Sequence, residues 1–384
     1  MEVVLVGTGG DAGWPEPGCR CASCAPARAT GQARAPAAVR IDGAAIPDRP
    51  GRPGDRLDLD GHLVELHAGA RPGRLAWSVT GRDGARLLYA PAGVDLGRHA
   101  DAVASDPAAG DAFDVVLLGP VRDGLRSVAQ GLAALRARAV VTGRTDVVVI
   151  GLGHHDPPAA ELQRLVDAWG ARTVPDGTAL QVRANPPITA PSDPGTPGSP
   201  NATRHRLQGR TLVLGGARSG KSAYAEDLLR AEPQVTYLAT GGAPAQDGEW
   251  LARVAAHRRR RPAGWITVET TDIAAALVAA THPVLLDALG TWLAARVDHH
   301  GAWDDPRAVR AVDADMAELV ATWRALNIPA VAVSNEVGSG VVPAAASGRL
   351  FRDLLGRLNN DIAAESETVL LTVAGLTVPL RTPA

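Results

Sequence analysis

Short, uninterrupted apolar runs recur through the second half of the chain. Residues 211–214, 235–239, 284–286, 330–333 and 369–373 each have the length of a strand and none alternates with polar positions. Strands that are apolar on both sides are covered on both faces, so these runs predict a parallel sheet sandwiched between helices. The segments between them fit that picture. Residues 221–230 read as a helix opening directly after a glycine-rich loop, and residues 249–259, 308–325 and 348–365 read as amphipathic helices. The expected class is α/β, of the kind that binds nucleoside triphosphates. The first residues, 1–7, also read as a buried strand, because an acid precedes a very short apolar run and no signal-peptide pattern follows.

The pattern breaks between 183 and 210. Pro186, Pro187, Pro191, Pro194, Pro197 and Pro200 are spaced by Ser, Thr, Gly and Asn with hardly an apolar side chain. Such a segment cannot bury enough surface to offset its ordering entropy, which predicts an extended tether. The chain of 384 residues is also too long for one ordinary core. Two domains are therefore expected, 1–182 and 211–384, joined by the linker 183–210, with no internal repeat between them.

Composition narrows the function classes. The net charge is −2 and acids and bases are interspersed, which argues against nucleic acid as a partner. No apolar stretch reaches the roughly 18 residues needed to span a bilayer. Three cysteines within six positions, Cys19, Cys21 and Cys24, are no disulfide framework for a chain of this size. A cytoplasmic protein is expected. Of the 39 basic residues, Lys221 is the single lysine. In a chain that uses arginine everywhere else, it marks a position where a compact ammonium is required.

Lys221 closes Gly215-Gly216-Ala217-Arg218-Ser219-Gly220-Lys221-Ser222, which fits GxxxxGK[ST] at every constrained position. Backbone N–H groups of such a loop cradle phosphates, the lysine adds charge, and the Ser222 hydroxyl is placed to hold Mg²⁺. An acid ending a neighbouring strand is the expected second part, and Asp287 after Val284-Leu285-Leu286 supplies it. His257 is followed directly by Arg258, Arg259, Arg260 and Arg261. An imidazole can attack an α-phosphoryl group and later act as leaving group, with guanidinium groups offsetting the charge that builds. The same arginines could equally be a solvated helix end. His299 and His300 beside Asp298 read as surface residues of an acidic loop.

Four segments of the second half resemble the bifunctional adenosylcobinamide kinase and adenosylcobinamide-phosphate guanylyltransferase family. They are the phosphate loop; Tyr237-Leu238-Ala239-Thr240; His257 with Arg261-Pro262 and Trp265; and Ser334-Asn335-Glu336-Val337-Gly338-Ser339-Gly340-Val341-Val342-Pro343 followed by Phe351-Arg352-Asp353. The resemblance implies phosphorylation of adenosylcobinamide by ATP or GTP, then transfer of GMP from GTP, through a histidine, to adenosylcobinamide phosphate. It implies His257 as the guanylylated residue, with Lys221 as the other catalytic group. Gly215, Gly216, Ala217, Arg218, Ser219, Gly220, Lys221, Ser222, Ala239, Thr240, Arg258, Arg259, Arg260, Arg261, Glu269 and Asp287 would bind nucleotide, with Ser222 and Asp287 on Mg²⁺. It also suggests a homo-oligomer. Gly241-Gly242-Ala243-Pro244 lies in a segment slightly longer than the family pattern.

The first half opens with a strand, Gly7-Thr8-Gly9-Gly10, and then Cys19-Arg20-Cys21-Ala22-Ser23-Cys24. Three thiolates spaced CxCxxC could supply three of four ligands to a structural Zn²⁺, and no fourth is visible in the sequence. This opening, with Gly151-Leu152-Gly153-His154-His155-Asp156 and the segment up to Gly177, resembles metallo-β-lactamase-fold phosphodiesterases, some of which carry such a zinc. An αββα domain, short for that fold, is implied. The family's HxHxDH ligand run has no counterpart, and Ala92 stands where it would place a bridging aspartate. A degenerate relative is expected, with His154, His155 and Asp156 read as a loop relic. A phosphodiesterase in the first half and a nucleotide-sensing scaffold without turnover are the competing readings.

Overall fold

The computed structural model describes residues 1–46, 51–68, 75–104, 112–121, 124–185, 207–240 and 261–383. His257, Arg258, Arg259 and Arg260, the helix expected over 249–259, Gly241-Gly242-Ala243-Pro244 and most of the expected tether lie outside the described residues. The chain divides into two compact units, one formed by Met1–Arg206 with Arg230–Pro233, the other by Leu207–Leu229 with Gln234–Ala384. No helix among the described residues is long and apolar enough to cross a membrane.

The first unit holds two sheets. Its elements are β1 (Glu2–Gly7), α1 (Cys24–Thr30), β2 (Ala38–Ile41), β3 (Ala44–Ala45), β4 (Arg56–Leu59), β5 (His62–Ala68), β6 (Leu75–Thr80), β7 (Arg86–Ala90), α2 (Leu96–Ala104), β8 (Val115–Leu118), α3 (Leu125–Ala137), β9 (Asp146–Val149), α4 (Ala159–Ala168), β10 (Arg172–Thr173) and β11 (Thr178–Gln181). One sheet has the order β11-β1-β2-β3 and the other β10-β9-β8-β7-β6-β5-β4. The larger is antiparallel from β4 to β7 and parallel from β7 to β10. Val3, Leu5, Val39 and Ile41 of the small sheet share one core with Leu87, Tyr89, Val115, Leu117 and Val148 of the large one. Their alternates Leu88, Val116, Val147 and Val149 are equally buried, so the large sheet is covered on both faces.

The second unit is a single seven-stranded sheet with helices on both faces. Its elements are β12 (Arg210–Gly215), α5 (Lys221–Leu229), β13 (Thr236–Ala239), β14 (Ile266–Glu269), α6 (Ile273–Ala279), β15 (Val284–Asp287), α7 (Leu289–His300), α8 (Val309–Ala325), β16 (Ala330–Asn335), α9 (Ala346–Ala364), β17 (Thr368–Val373) and β18 (Leu376–Arg381). The strand order is β14-β13-β15-β16-β12-β17-β18, parallel throughout except for β18. Leu212, Leu214, Leu238, Leu286 and Ala332 meet α6 to α9 on one face, where Trp323 and Leu358 are fully buried. On the other face α5 contacts β12, β15 and β16. The sheet is thus the buried parallel one that the apolar runs predict, with an antiparallel edge strand added.

His299 and His300 correct one expectation. They form the last turn of α7 rather than a loop, and His300 Nε2 lies 2.8 Å from Asp315 Oδ2, which Arg296 also approaches at 2.6 Å.

Candidate functional site

The phosphate loop leaves the C-terminal end of β12, a strand paired on both sides, and returns into α5 at Lys221. Two of its glycines are required by geometry. A Cβ on Gly215 would lie 2.5 Å from Ser219 Oγ and 2.6 Å from the Thr372 carbonyl, and Gly220 adopts φ +99°. Lys221 Nζ donates to the Gly216 carbonyl at 3.2 Å, which folds the side chain along the loop that it would complement when phosphate is bound.

Asp287 ends β15 and faces the loop. Ser222 Oγ donates to its Oδ1 at 3.1 Å and Tyr237 Oη donates to its Oδ2 at 2.5 Å. The sheet register explains the second contact. Asp287 pairs with Ala239, so Tyr237, two residues earlier on the same strand, is its diagonal neighbour on the same face. Burial, and then the Asp287 charge, push the Tyr237 hydroxyl far above its usual range, so it stays protonated and a donor. The Arg261 guanidinium lies 3.3 Å from the centroid of the Tyr237 ring and donates to Thr267 Oγ1 at 2.9 Å. One chain of contacts therefore joins Arg261, Tyr237, Asp287 and Ser222.

Arg261 also lines an open cleft of about 530 Å³ with Pro262, Ala263, Trp265, Thr267 and Glu269. Arg261 Nε and Trp265 Nε1 are buried there and form no hydrogen bond among the described residues. Glu269 stands in this cleft rather than beside Asp287. Thr240 is buried, its Oγ1 accepting from the Ala288 N–H at 3.1 Å and donating to the Ala288 carbonyl at 2.7 Å. It braces the turn that follows Asp287. Tyr237 enters the sequence reading only as part of Tyr237-Leu238-Ala239-Thr240 and without a role of its own; its signal is one aromatic hydroxyl inside a short buried strand.

Residues 211–380 match the family described as cobinamide kinase / cobinamide phosphate guanyltransferase. The chain is 37% identical over 180 residues to the bifunctional adenosylcobalamin biosynthesis protein CobU of Escherichia coli K12, covering 98% of that protein and 44% of this chain. The chain belongs to this family. Salmonella typhimurium CobU gives the same identity and coverage, and CobP of Pseudomonas aeruginosa is 41% identical over 177 residues, 97% of its length. The cobinamide kinase / guanyltransferase match, residues 211–380, takes in the seven-stranded sheet of the second unit from β12 to β18.

A second constellation lies in the first unit. Cys19, Cys21, Cys24 and His154 each bring a ligand atom within 4.8 Å of all the others. The backbone N–H of Glu16 points at Cys24 Sγ (3.3 Å) and that of Cys24 at Cys21 Sγ (3.4 Å). N–H groups of Cys24 and Ser23 bring the Cys21 thiol down to about 7, whereas burial raises that of Cys24. His154 Nδ1 is buried and makes no hydrogen bond among the described residues, although Glu16 Oε2 is 3.0 Å away; its geometry there is that of a near charge. His154 therefore lies beside the cysteines. Asp156, by contrast, accepts from the Gly153 N–H at 2.7 Å and braces its own loop, with burial raising its pKa.

Proposed function

We propose that the second unit phosphorylates the aminopropanol hydroxyl of adenosylcobinamide with ATP or GTP, and then transfers GMP from GTP to the new phosphate through His257, giving adenosylcobinamide-GDP. The observation that carries the reading is near-complete coverage of the CobU relatives, 98% at 37% identity, over a unit with a formed phosphate loop. The loop amides and Lys221 would bind the triphosphate. The hard oxygens of Ser222 and Asp287, 3.1 Å apart, fit Mg²⁺, which when bound would neutralise phosphate charge as it develops. Arg261, Trp265 and Glu269 would take the guanine nucleotide in their cleft. In the transfer, a ring nitrogen of His257 bonds to the α-phosphorus of GTP as the bond to the bridging oxygen breaks and pyrophosphate leaves. The phosphate oxygen of the corrinoid then displaces the imidazole. These substrates suit a cytoplasmic enzyme.

Incubation with α-labelled GTP and Mg²⁺ tests the reading. An acid-labile, base-stable protein adduct, absent from His257→Ala, is expected. A scaffold that binds GTP without forming the adduct would overturn it.

For the first unit we propose a degenerate metallo-β-lactamase-like domain with a structural zinc. The two sheets sharing one core support the fold, and Ala92 in place of a bridging aspartate supports loss of catalysis. Zinc with bonds of about 2.3 Å to sulfur sets tetrahedral ligands about 3.8 Å apart, which the spacing of Cys19, Cys21, Cys24 and His154 admits.

A further inference from the structure

Two segments hydrogen-bond to the phosphate loop from opposite sides. The Glu336 N–H, at the start of the β16–α9 loop, donates to the Gly215 carbonyl at 3.2 Å; the Gly375 N–H, in the β17–β18 turn, donates to the Ser219 carbonyl at 2.9 Å. Both carry apolar side chains into solvent. Val341 is 94% exposed, Val342 61%, Val373 57% and Leu376 58%. Among the described residues of this unit, the other large apolar side chains so exposed are Val378 and Leu380, which continue from Leu376 at two-residue spacing along the edge strand, and Ile266 and Val278 elsewhere.

The first of these segments is fastened. Glu336 Oε1 accepts from the Gly338 N–H at 2.8 Å, and Arg349 Nη1 donates to the carbonyls of Pro343 and Ala344 at 2.9 and 2.6 Å. Held at both ends, the loop keeps two adjacent valines outward. Scattered exposed apolar residues are ordinary, but a group of them around a phosphate-binding loop marks a binding surface. The strand order separates this surface from the nucleotide cleft. Arg261, Trp265 and Glu269 lie toward β13 and β14, whereas the apolar segments extend β16, β17 and β18, with β12 and its loop between β16 and β17.

We propose that Val341 and Val342 on one side, and Val373 and Leu376 on the other, form the acceptor site, taking the apolar face of the corrin macrocycle and directing its hydroxyl arm to the loop. The proposal rests on the kinase reading above. Five residues separate Glu336, which is bonded to the phosphate loop, from Val341, so the chain holds Val341 at most about 17 Å from that anchor. The hydroxyl oxygen bonds to the γ-phosphorus, the bond to the β,γ-bridging oxygen breaks, the nucleoside diphosphate leaves with that electron pair, and the hydroxyl proton passes to water.

The test is steady-state phosphorylation of adenosylcobinamide by the full chain, with Val341→Ser/Val342→Ser and Val373→Ser/Leu376→Ser, alongside light scattering of each variant. Removal of two apolar contacts should raise KM for adenosylcobinamide about tenfold or more and leave KM for the triphosphate within about twofold. Wild-type protein that phosphorylates adenosylcobinamide, with variants of unchanged acceptor KM, would overturn the proposal alone. Wild-type protein that does not phosphorylate it would remove the kinase reading instead, and this site with it. Variants that change mass in solution while acceptor KM stays put would show that the face joins copies of this chain, and would likewise overturn it.

Discussion

Tyr237 donates its hydroxyl to Asp287 at 2.5 Å while its ring supports the guanidinium of Arg261. A single side chain thus orients the carboxylate beside the phosphate loop and carries a cation of the neighbouring cleft. Tyr237→Phe keeps the ring and removes only the hydrogen bond. Losing a bond to a charged acceptor is worth about 2 kcal/mol, so kcat/KM for phosphorylation should fall about 30-fold. Because the hydroxyl stays protonated, the wild-type rate should show no alkaline limb from Tyr237 up to pH 10, which a pH–rate profile checks.

Asp287→Asn should weaken the dependence on Mg²⁺ more than it weakens nucleotide binding. A fall of about 100-fold in kcat, with nucleotide affinity changed only a few-fold, is expected from magnesium titrations. Equal loss of both would place Asp287 in nucleotide binding alone.

The cysteine cluster makes a claim independent of catalysis. Elemental analysis of purified protein should find about one zinc per chain, and Cys19→Ser and His154→Ala should each reduce it strongly. Zinc content unaffected by His154→Ala would remove the fourth ligand from the proposal.

Arg210 opens β12 and closes on Glu367 just before β17. Its Nη2 lies 2.5 Å from Glu367 Oε1 and its backbone N–H 2.5 Å from Oε2. The guanidinium hydrogen bond holds the Glu367 carboxyl down to about 2, against 4.5 for an ordinary glutamate. A depressed acid stabilises the fold above its unfolded pKa, and that contribution fades as pH falls from about 5 towards 2. Glu367 is 39% exposed on its side chain, so solvent screening limits the effect to about 1 kcal/mol. Glu367→Gln should lower Tm at pH 7 and converge with wild type only as pH approaches 2 in thermal melts.

Asn359 lies buried on α9 among Leu355, Leu358 and Ile362. It accepts from Ser334 Oγ at 2.5 Å and donates to the Asn335 carbonyl at 3.0 Å, at the strand end beside Gly215. Asn359→Leu would leave both partners unsatisfied and should cost about 2 to 4 kcal/mol in urea unfolding.

The central strands of the second unit are legible because parallel strands buried on both faces spell themselves as plain apolar runs. The edges are not. β14 and β18 are largely exposed, so Ile266–Glu269 and Leu376–Arg381 carry no such run. The phosphate loop and Asp287 follow from spacing, but the Tyr237 contact depends on cross-strand register, which no local pattern encodes. His154 is hidden for a similar reason. It joins Cys24 from 130 positions away, and only the fold closes that gap.

β12 is hydrogen-bonded to β16 and, from Thr211 to Gly215, to β17, so the strand that ends in the phosphate loop has no free edge there. Its amides can meet solvent deuterium only when the sheet comes apart, and the residues from Thr211 to Leu214 should exchange at the rate of global opening. The strand beneath the phosphate loop cannot therefore open while the rest of the sheet persists. Heat that takes this sheet apart should extinguish phosphoryl transfer with it.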